Sequence, residues 1–457
     1  MIRLPDDVLL DVFDFYVKTE REIEAWQLLV HVCQRWRIIV FGSPRRLNLR
    51  LVCTLKTPAK DTLDVWPALP LIINYGGPIL EPSNDNVIAA LGQSNRVCEV
   101  RLGHLKIWQI RKVVAAMQVP FPELTHLLLS QIGAGTLVIP DSFLGGFAPS
   151  LQNFQLSRIS FPGLPKFILS ATHLVTLWLD SIPHSGYISP ESMVALISVL
   201  SGLKNLILGF QSPQSRPHRK TRSLPPMKRS ILPALSYLKF KGVTEYLEEL
   251  VTCISTPQLR AVYITFYNQI DFDCRRLDQF INRTPKYRAL DEAYVQFYEY
   301  IAVVKFRDRN SPFTPGGLEI EISCEEPDWQ LSSIEQVCNS ALYILSTVED
   351  LYIERRYRES VWKDDAIENT LWLQLLLPFT VVKNLYLSNE FALGITATLQ
   401  ELVGGTTEVL PSLQNIFLEG LEPSGPVREN IERFVATRQL SGHPIAFSDW
   451  DKDLDSE

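Results

Sequence analysis

One short pattern recurs along most of this chain and narrows its possible folds more than any other feature. Written L-x-x-L-x-L, with L any aliphatic or similar residue, it appears as VCEVRL from Val97, LTHLLL from Leu124, LQNFQL from Leu151 and LVTLWL from Leu174. It returns as LKNLIL from Leu203, LSYLKF from Leu235 and LRAVYI from Leu259, then as VEDLYI from Val348, VKNLYL from Val382 and LQNIFL from Leu413. Successive copies begin 23 to 34 residues apart, except for one gap of 89 residues ahead of Val348. A strand-sized motif at that period predicts a stack of repeats rather than one closed core. Each unit supplies one short strand with its aliphatics turned inward. No unit can bury that apolar edge alone.

The expected fold class is therefore α/β, an irregular leucine-rich-repeat solenoid with a parallel sheet on the concave face and helices and loops on the convex face. Pro122, Pro149, Pro233 and Pro411 lead in four of the repeats. The segment SPESMVALISVLSG at 189–202 reads as a helical connector. The gap of 89 residues is close to three repeats of about 30, and AYVQF at 293–297 and GLEIEIS at 317–323 are candidate strands inside it. By strand alternation, the slot between the last two aliphatics faces the concave surface. Trp178, Tyr263, Tyr352, Tyr386 and Phe417 occupy that slot. They form a candidate recognition stripe, unless a loop or the C-terminal helix covers them.

Residues 1–45 have a different texture and read as helical. Pro5 suits a first helical turn, Asp6 and Asp7 complement its dipole, and Val8, Leu9, Val12, Phe13 and Tyr16 follow at helical spacing. A second helix is expected from about Ile23 to Phe41, carrying Trp26, Leu29, Cys33, Trp36 and Val40 at steps of three and four. Its apolar arc is wide enough to need contacts on two sides. RRLNLRLVCTL and LPLIINY, further on, look like short strands.

Composition bounds the partners. A net charge of −7 argues against nucleic acid, which needs a basic surface. No run approaches a membrane span, and the N-terminal aspartates interrupt any secretory h-region, so neither membrane association nor export is expected. Seven widely spaced cysteines without a C-x-x-C pair suggest reduced, buried thiols in a cytoplasmic or nuclear protein.

The opening residues carry a family resemblance. Leu4-Pro5, the run Val8, Leu9, Val12 and Phe13, and then Val32-Cys33 with Trp36-Arg37 resemble the F-box and its V-C-x-x-W-R centre. With repeats running on towards the C-terminus and the closing IERFVATRQLSGHPIAF, the whole chain looks like an F-box/leucine-rich-repeat protein of the type abundant in mushroom-forming fungi. That resemblance implies the substrate-recognition subunit of a Skp–cullin–F-box ubiquitin ligase, not itself an enzyme. Leu4, Pro5, Val8, Leu9, Val12, Val32, Cys33 and Trp36 would meet or shape the surface for a Skp-type adaptor, and through it a cullin, while the repeats hold a protein substrate. Trp36 is the expected anchor. The alternatives are a helical unit that only caps the solenoid, and a repeat scaffold with no ligase role.

Two departures stand out. The ninth repeat position, usually Asn, holds Ile132, Ile159, Ile182, Val243 and Leu421, or Gln211, Tyr267, Arg356 and Glu390, so apolar packing is expected to seal the turns. KTEREIEAW at 18–26 replaces the usual short linker between the F-box helices with a charged, helix-prone segment.

The implied organisation is an F-box-like domain over 1–45, a linker and N-terminal capping segment over 46–96, repeats over 97–425, and a C-terminal capping helix with an acidic tail over 426–457.

No catalytic constellation, metal site or cofactor motif is expected. Cys33 has His31 two residues away, on another side of a helix, and reads as a buried packing thiol. The tail Asp449, Asp451, Asp453 starts like a calcium loop but has Leu454 where the glycine must turn. The basic tract at 211–230, with Arg216, Arg219, Lys220, Arg222, Lys228 and Arg229 and no acid, reads as a solvated insertion. Its functional options are nuclear localisation, phosphoregulation or contact with an acidic partner.

Overall fold

Wherever the motif occurs, its aliphatics alternate at the two-residue period of a strand, and each of the ten copies lies on one in the computed structural model. The structure describes residues 4–19, 25–54, 59, 63, 68–75, 85–213, 229–309, 316–340, 343–356, 369–401, 409–420 and 424–450. Residues 20–24 of the charged linker, 214–228 of the basic tract, Leu421 and residues 451–457 of the tail lie outside them. The chain divides into two units, Met1–Ile188 and Ser189–Glu457.

The first unit opens with α1 (Asp6–Thr19), α2 (Trp26–Val30) and α3 (Gln34–Gly42). The single helix expected to Phe41 is thus two, broken where Cys33 is fully extended at φ −160° and ψ 167°. The break orphans carbonyls at the end of α2, and Arg37 Nε donates to Val30 O at 3.0 Å. Cys33 therefore stands exposed ahead of α3, not buried as expected. The helices hold together through Phe13, which is fully buried against Trp36 with centroids 4.7 Å apart. Trp26 is buried too, and its indole N–H donates to Arg50 O at 3.0 Å, tying the helices to the first strand.

That strand begins a parallel series: β1 (Leu51–Cys53), β2 (Leu71–Tyr75), β3 (Val97–Leu105), β4 (His126–Gln131), β5 (Asn153–Ser157) and β6 (Thr176–Ile182). Leu127, Leu129, Phe154, Leu156, Leu177 and Leu179 point inward and are buried. Phe143, Phe154, Phe161 and Phe167 pack behind them with centroids 5.4–6.4 Å apart. At the ninth position Ile159 and Ile182 are buried, as apolar sealing requires.

The second unit holds β7 (Asn205–Phe210), β8 (Tyr237–Gly242), β9 (Ala261–Tyr267), β10 (Glu292–Phe297), β11 (Ile301–Arg307), β12 (Gly317–Ser323), β13 (Asp350–Arg355), β14 (Asn384–Leu387), β15 (Asn415–Glu419) and β16 (Ala446–Trp450). Their spatial order is β7-β8-β9-β12-β11-β10-β13-β14-β15-β16. All pairings are parallel except those of β11, which is antiparallel to both β10 and β12. The 89-residue gap is therefore not three ordinary repeats: both candidate strands are present, but a reversed strand separates them and the chain steps backwards through the sheet.

Helices back this sheet, among them Pro190–Ser198, Thr244–Cys253, Asn369–Leu376, Asn389–Glu401 and Pro426–Leu440. The first is the predicted connector, with Ser189 Oγ accepting the Ser192 N–H at 3.3 Å. Inward Phe297 of β10 meets Phe391 and Trp372 of two of these helices at 5.1 and 6.1 Å. The opposite face of the sheet is the more accessible one among the described residues, with Tyr294, Tyr352, Tyr386 and Phe417 half-buried on it. Asp449 and Trp450, read from sequence as the start of the acidic tail, belong to β16.

Candidate recognition surfaces

The first surface lies on the N-terminal helices. Leu9 and Phe13 turn one side of α1 into the core, whereas Val8, Val12 and Phe15, one helical turn apart, remain exposed. Leu4, Leu28, Val32 and Ile38 are exposed as well. Val12 is 51% and Phe15 73% accessible. Arg35 fixes the entry of α1: its Nε donates to Asp6 Oδ1 at 2.9 Å, and Nη2 donates to Leu4 O at 2.5 Å. Of the sequence candidates, Leu4, Pro5, Val8, Val12, Val32 and Cys33 are exposed, Trp36 is half-buried on Phe13, and Leu9 is buried. Leu9 shapes this surface from beneath.

The second surface is the open sheet face of the second unit. In-register pairing sets residues of the fifth motif position side by side, one strand spacing apart. Tyr294, Tyr352, Tyr386 and Phe417 are aligned in this way across β10, β13, β14 and β15. Their rings stack with centroids 4.4, 4.2 and 4.5 Å apart and planes within 11° of parallel. Burial, reinforced by the neighbouring Tyr294 and Tyr386, pushes the Tyr352 phenol far above its ordinary 10.0. Tyr294 is raised in the same direction, burial first and the Glu292 carboxylate next.

Two polar rows flank the stack. On one side Asn415 Nδ2 donates to Asn384 Oδ1 at 2.8 Å, and Asn384 Nδ2 donates to Asp350 Oδ1 at 2.6 Å. Arg309 closes this row by pairing with Asp350. An asparagine ladder does exist, but at the third motif position, not the ninth. On the other side Gln296 Nε2 donates to Glu354 Oε2 at 3.1 Å, and Arg356 pairs with Glu354 at 2.8 Å. Asp350 and Glu354 are buried, and these partners offset the loss of water around their charge.

The predicted stripe is only partly continuous. Tyr352, Tyr386 and Phe417 come together, and Tyr294 joins them without having been singled out from sequence. Tyr263 pairs instead with Tyr237 at 5.4 Å, and Glu319 and Lys305 fill the slots between it and Tyr294. Lys305 and Glu319 are themselves 3.5 Å apart. A depression beside Tyr294 is lined by Gln296, Tyr298, Lys305, Arg307 and Arg356. Trp178 lies in the first unit, 41% exposed, in a row with Arg101, Leu128 and Gln155.

Several thiols are buried in the repeats. Burial raises the thiols of Cys98, Cys274, Cys324 and Cys338, so they stay protonated near neutrality. Glu99 is clasped by Arg50 and Arg101, and His126 beside them is pushed below its ordinary value by burial first. Among the described residues, no three His, Cys, Asp or Glu side chains converge as a metal site. What the repeats offer is a shaped surface to which each unit contributes one strand.

No family model matches the chain, and no curated protein does. Among solved structures it is similar to the leucine-rich repeat-containing protein LegL7 from Legionella pneumophila, with 12% identity, 86% of this chain and 98% of that chain covered, and a TM-score of 0.27. At that score the two chains do not superpose closely, and the fold stands on its own strand order and motif.

Proposed function

We propose that this chain is the substrate-recognition subunit of a Skp–cullin–F-box ubiquitin ligase of the fungal type, acting in the cytoplasm or nucleus. The N-terminal helices dock on a Skp-type adaptor, which links the chain to a cullin, and the repeats hold a protein substrate. The observation that supports this reading is the exposed row Val8, Val12 and Phe15 of α1, together with exposed Leu4 and Val32, apolar side chains kept outside a helical unit that already has a core. No residue of this chain is asked to act as acid, base or nucleophile. Its contribution is to bring substrate close to a conjugating enzyme carried by another chain.

The critical experiment is capture by a purified Skp-type adaptor. Val8→Asp with Val12→Asp is expected to weaken capture by about a hundredfold, since desolvated charge in an apolar interface costs several kcal/mol. The exposed sites leave circular dichroism and the melting transition unchanged. Failure of the wild-type chain to bind any Skp-type adaptor would leave the plain scaffold reading. Trp36→Ala is the poorer probe, because it also removes the packing partner of Phe13.

A further inference from the structure

Where the second unit lines its accessible face with paired rings, the first leaves polar groups without partners. β3, β4 and β5 set Arg101, His126, Asn153 and Gln155 around an open depression of about 250 Å³, lined also by Leu127 and Leu128. Among the described residues, the Asn153 and Gln155 carboxamides have no hydrogen-bond partner. Arg101 is exposed and gives one N–H, from Nη2, to Glu99 Oε2 at 2.8 Å, while Arg50 holds the other oxygen of that buried carboxylate. Two guanidinium groups on one carboxylate leave a net positive charge. Arg101 keeps further N–H groups for a ligand.

The hydrogen bonds around His126 decide which of its nitrogens faces a ligand as an acceptor. Thr125 Oγ1 is 3.0 Å from Cys98 O and 2.8 Å from His126 Nδ1. A hydroxyl has one proton, and here it lies on the carbonyl; otherwise two acceptor oxygens would meet at 3.0 Å with nothing between them. Nδ1 therefore carries the imidazole proton and donates to Thr125. Nε2 is left as a bare acceptor. Burial favours this neutral ring first; Glu99 opposes it, and Arg101 and Arg50 reinforce it. On the β5 side the ring meets Asn153, which carries no charge.

We infer that this depression receives a primary carboxamide, the side chain of a glutamine or asparagine in the protein substrate. The inference rests on the reading that the repeats hold such a substrate. The site presents a donor on β3 and an acceptor on the adjacent β4. A carboxamide carries the complementary pair on one head group: its C=O accepts from Arg101, and its NH₂ donates to His126 Nε2. Asn153 and Gln155, each able to offer an N–H or an oxygen, take the remaining proton and lone pair. A carboxylate has no proton for Nε2, a lysine has no acceptor for Arg101, and an aliphatic side chain leaves both unpaired. Leu128 is half-buried in one row with Arg101 and Gln155 and gives the stem of the side chain an apolar surface. Trp178, 41% exposed on the strand beyond Gln155, is open to the next residue of the substrate.

The test compares two blocked amino acids, N-acetylglutamine N-methylamide and N-acetylglutamate N-methylamide, on the full-length chain. Calorimetry at about pH 8 should find the glutamine probe bound about tenfold or more tightly than the glutamate probe, the penalty for an unpaired acceptor. In chain labelled with ¹⁵N-histidine, Nδ1 of His126 is expected to hold the proton, and the glutamine probe should shift Nε2 saturably. The His126 signal is assigned by its loss in His126→Asn, with circular dichroism as the check on folding; the calorimetric comparison uses wild type alone. On acidification through the titration of His126 its Nε2 becomes a donor, and the preference should invert in favour of glutamate. Equal affinity for the two probes at about pH 8, no saturable binding of either, or a proton found on Nε2 each overturns the inference. Adaptor capture through α1 is measured separately. A chain that captures the adaptor and ignores the glutamine probe keeps the proposed function and loses this site; one that does the reverse keeps the site on a plain scaffold.

Discussion

The same motif slot produces opposite surfaces in the two units. In the first, the fifth position reads Arg101, Leu128, Gln155, Trp178: four different chemistries, with the tryptophan exposed. In the second, from β10 onward, it reads Tyr294, Tyr352, Tyr386, Phe417, and the rings close on each other. Backbone pairing supplies one residue per strand spacing in both. Chemical repetition decides whether those residues become a stabilising column or separate contact points. An aromatic row thus gains stability by hiding its faces, and leaves only its edges to recognise anything.

The contrast can be broken most forcefully at the centre of the column. Tyr386→Ala removes two stacking contacts and a ring partly buried under Trp450, and is expected to cost about 3 kcal/mol in denaturant unfolding. Gln155→Ala, the same slot in the first unit, should stay within about 0.5 kcal/mol. Equal effects would show that the stack contributes nothing beyond its strands.

A smaller effect is expected at the third position. Asn384 both donates to Asp350 and accepts from Asn415, so Asn384→Ala strands groups on both sides and should cost about 1–2 kcal/mol.

The mildest probe is pH, and the two units should respond at opposite ends. Tyr352 and Tyr294 are raised above 10.0, so the unfolded chain loses their protons first, and the stability they contribute falls as pH climbs past about 10. His126 is lowered below 6.5, so the unfolded chain gains its proton first, and its contribution fades as pH falls through 6.5. Tyrosinate absorbance at 295 nm should appear together with loss of second-unit structure, while amide exchange in β4 should rise on acidification.

Much of this was legible from the motif. Ten strands follow from alternating aliphatics, because a buried edge tolerates no slip of one residue. Tyr294 escaped because its repeat has Ala293 where the pattern wants a larger aliphatic; Leu290 three residues earlier was the available signal. Trp450 escaped because Asp449 occupies an inward slot and ended the pattern. The reversed direction of β11 could not be read at all, since a two-residue alternation is the same in either sense. At Cys33 the helical period continues through a residue that is extended, and the capping by Arg37 comes from beyond the break.

That reversed strand also bears on how the chain acquires its structure. A parallel solenoid offers no short-range strand pairing: every ladder closes a loop of a full repeat before its first hydrogen bond repays the entropy. β10 and β11 are joined by residues 298–300, with Tyr298 N–H donating to Ile301 O at 2.9 Å. This hairpin and the antiparallel β11–β12 pair are of low sequence separation, in a sheet whose parallel pairs each span about a full repeat or more. The second unit thereby contains strand pairing whose loop-closure cost is small, beside which β13 pairs in parallel with β10.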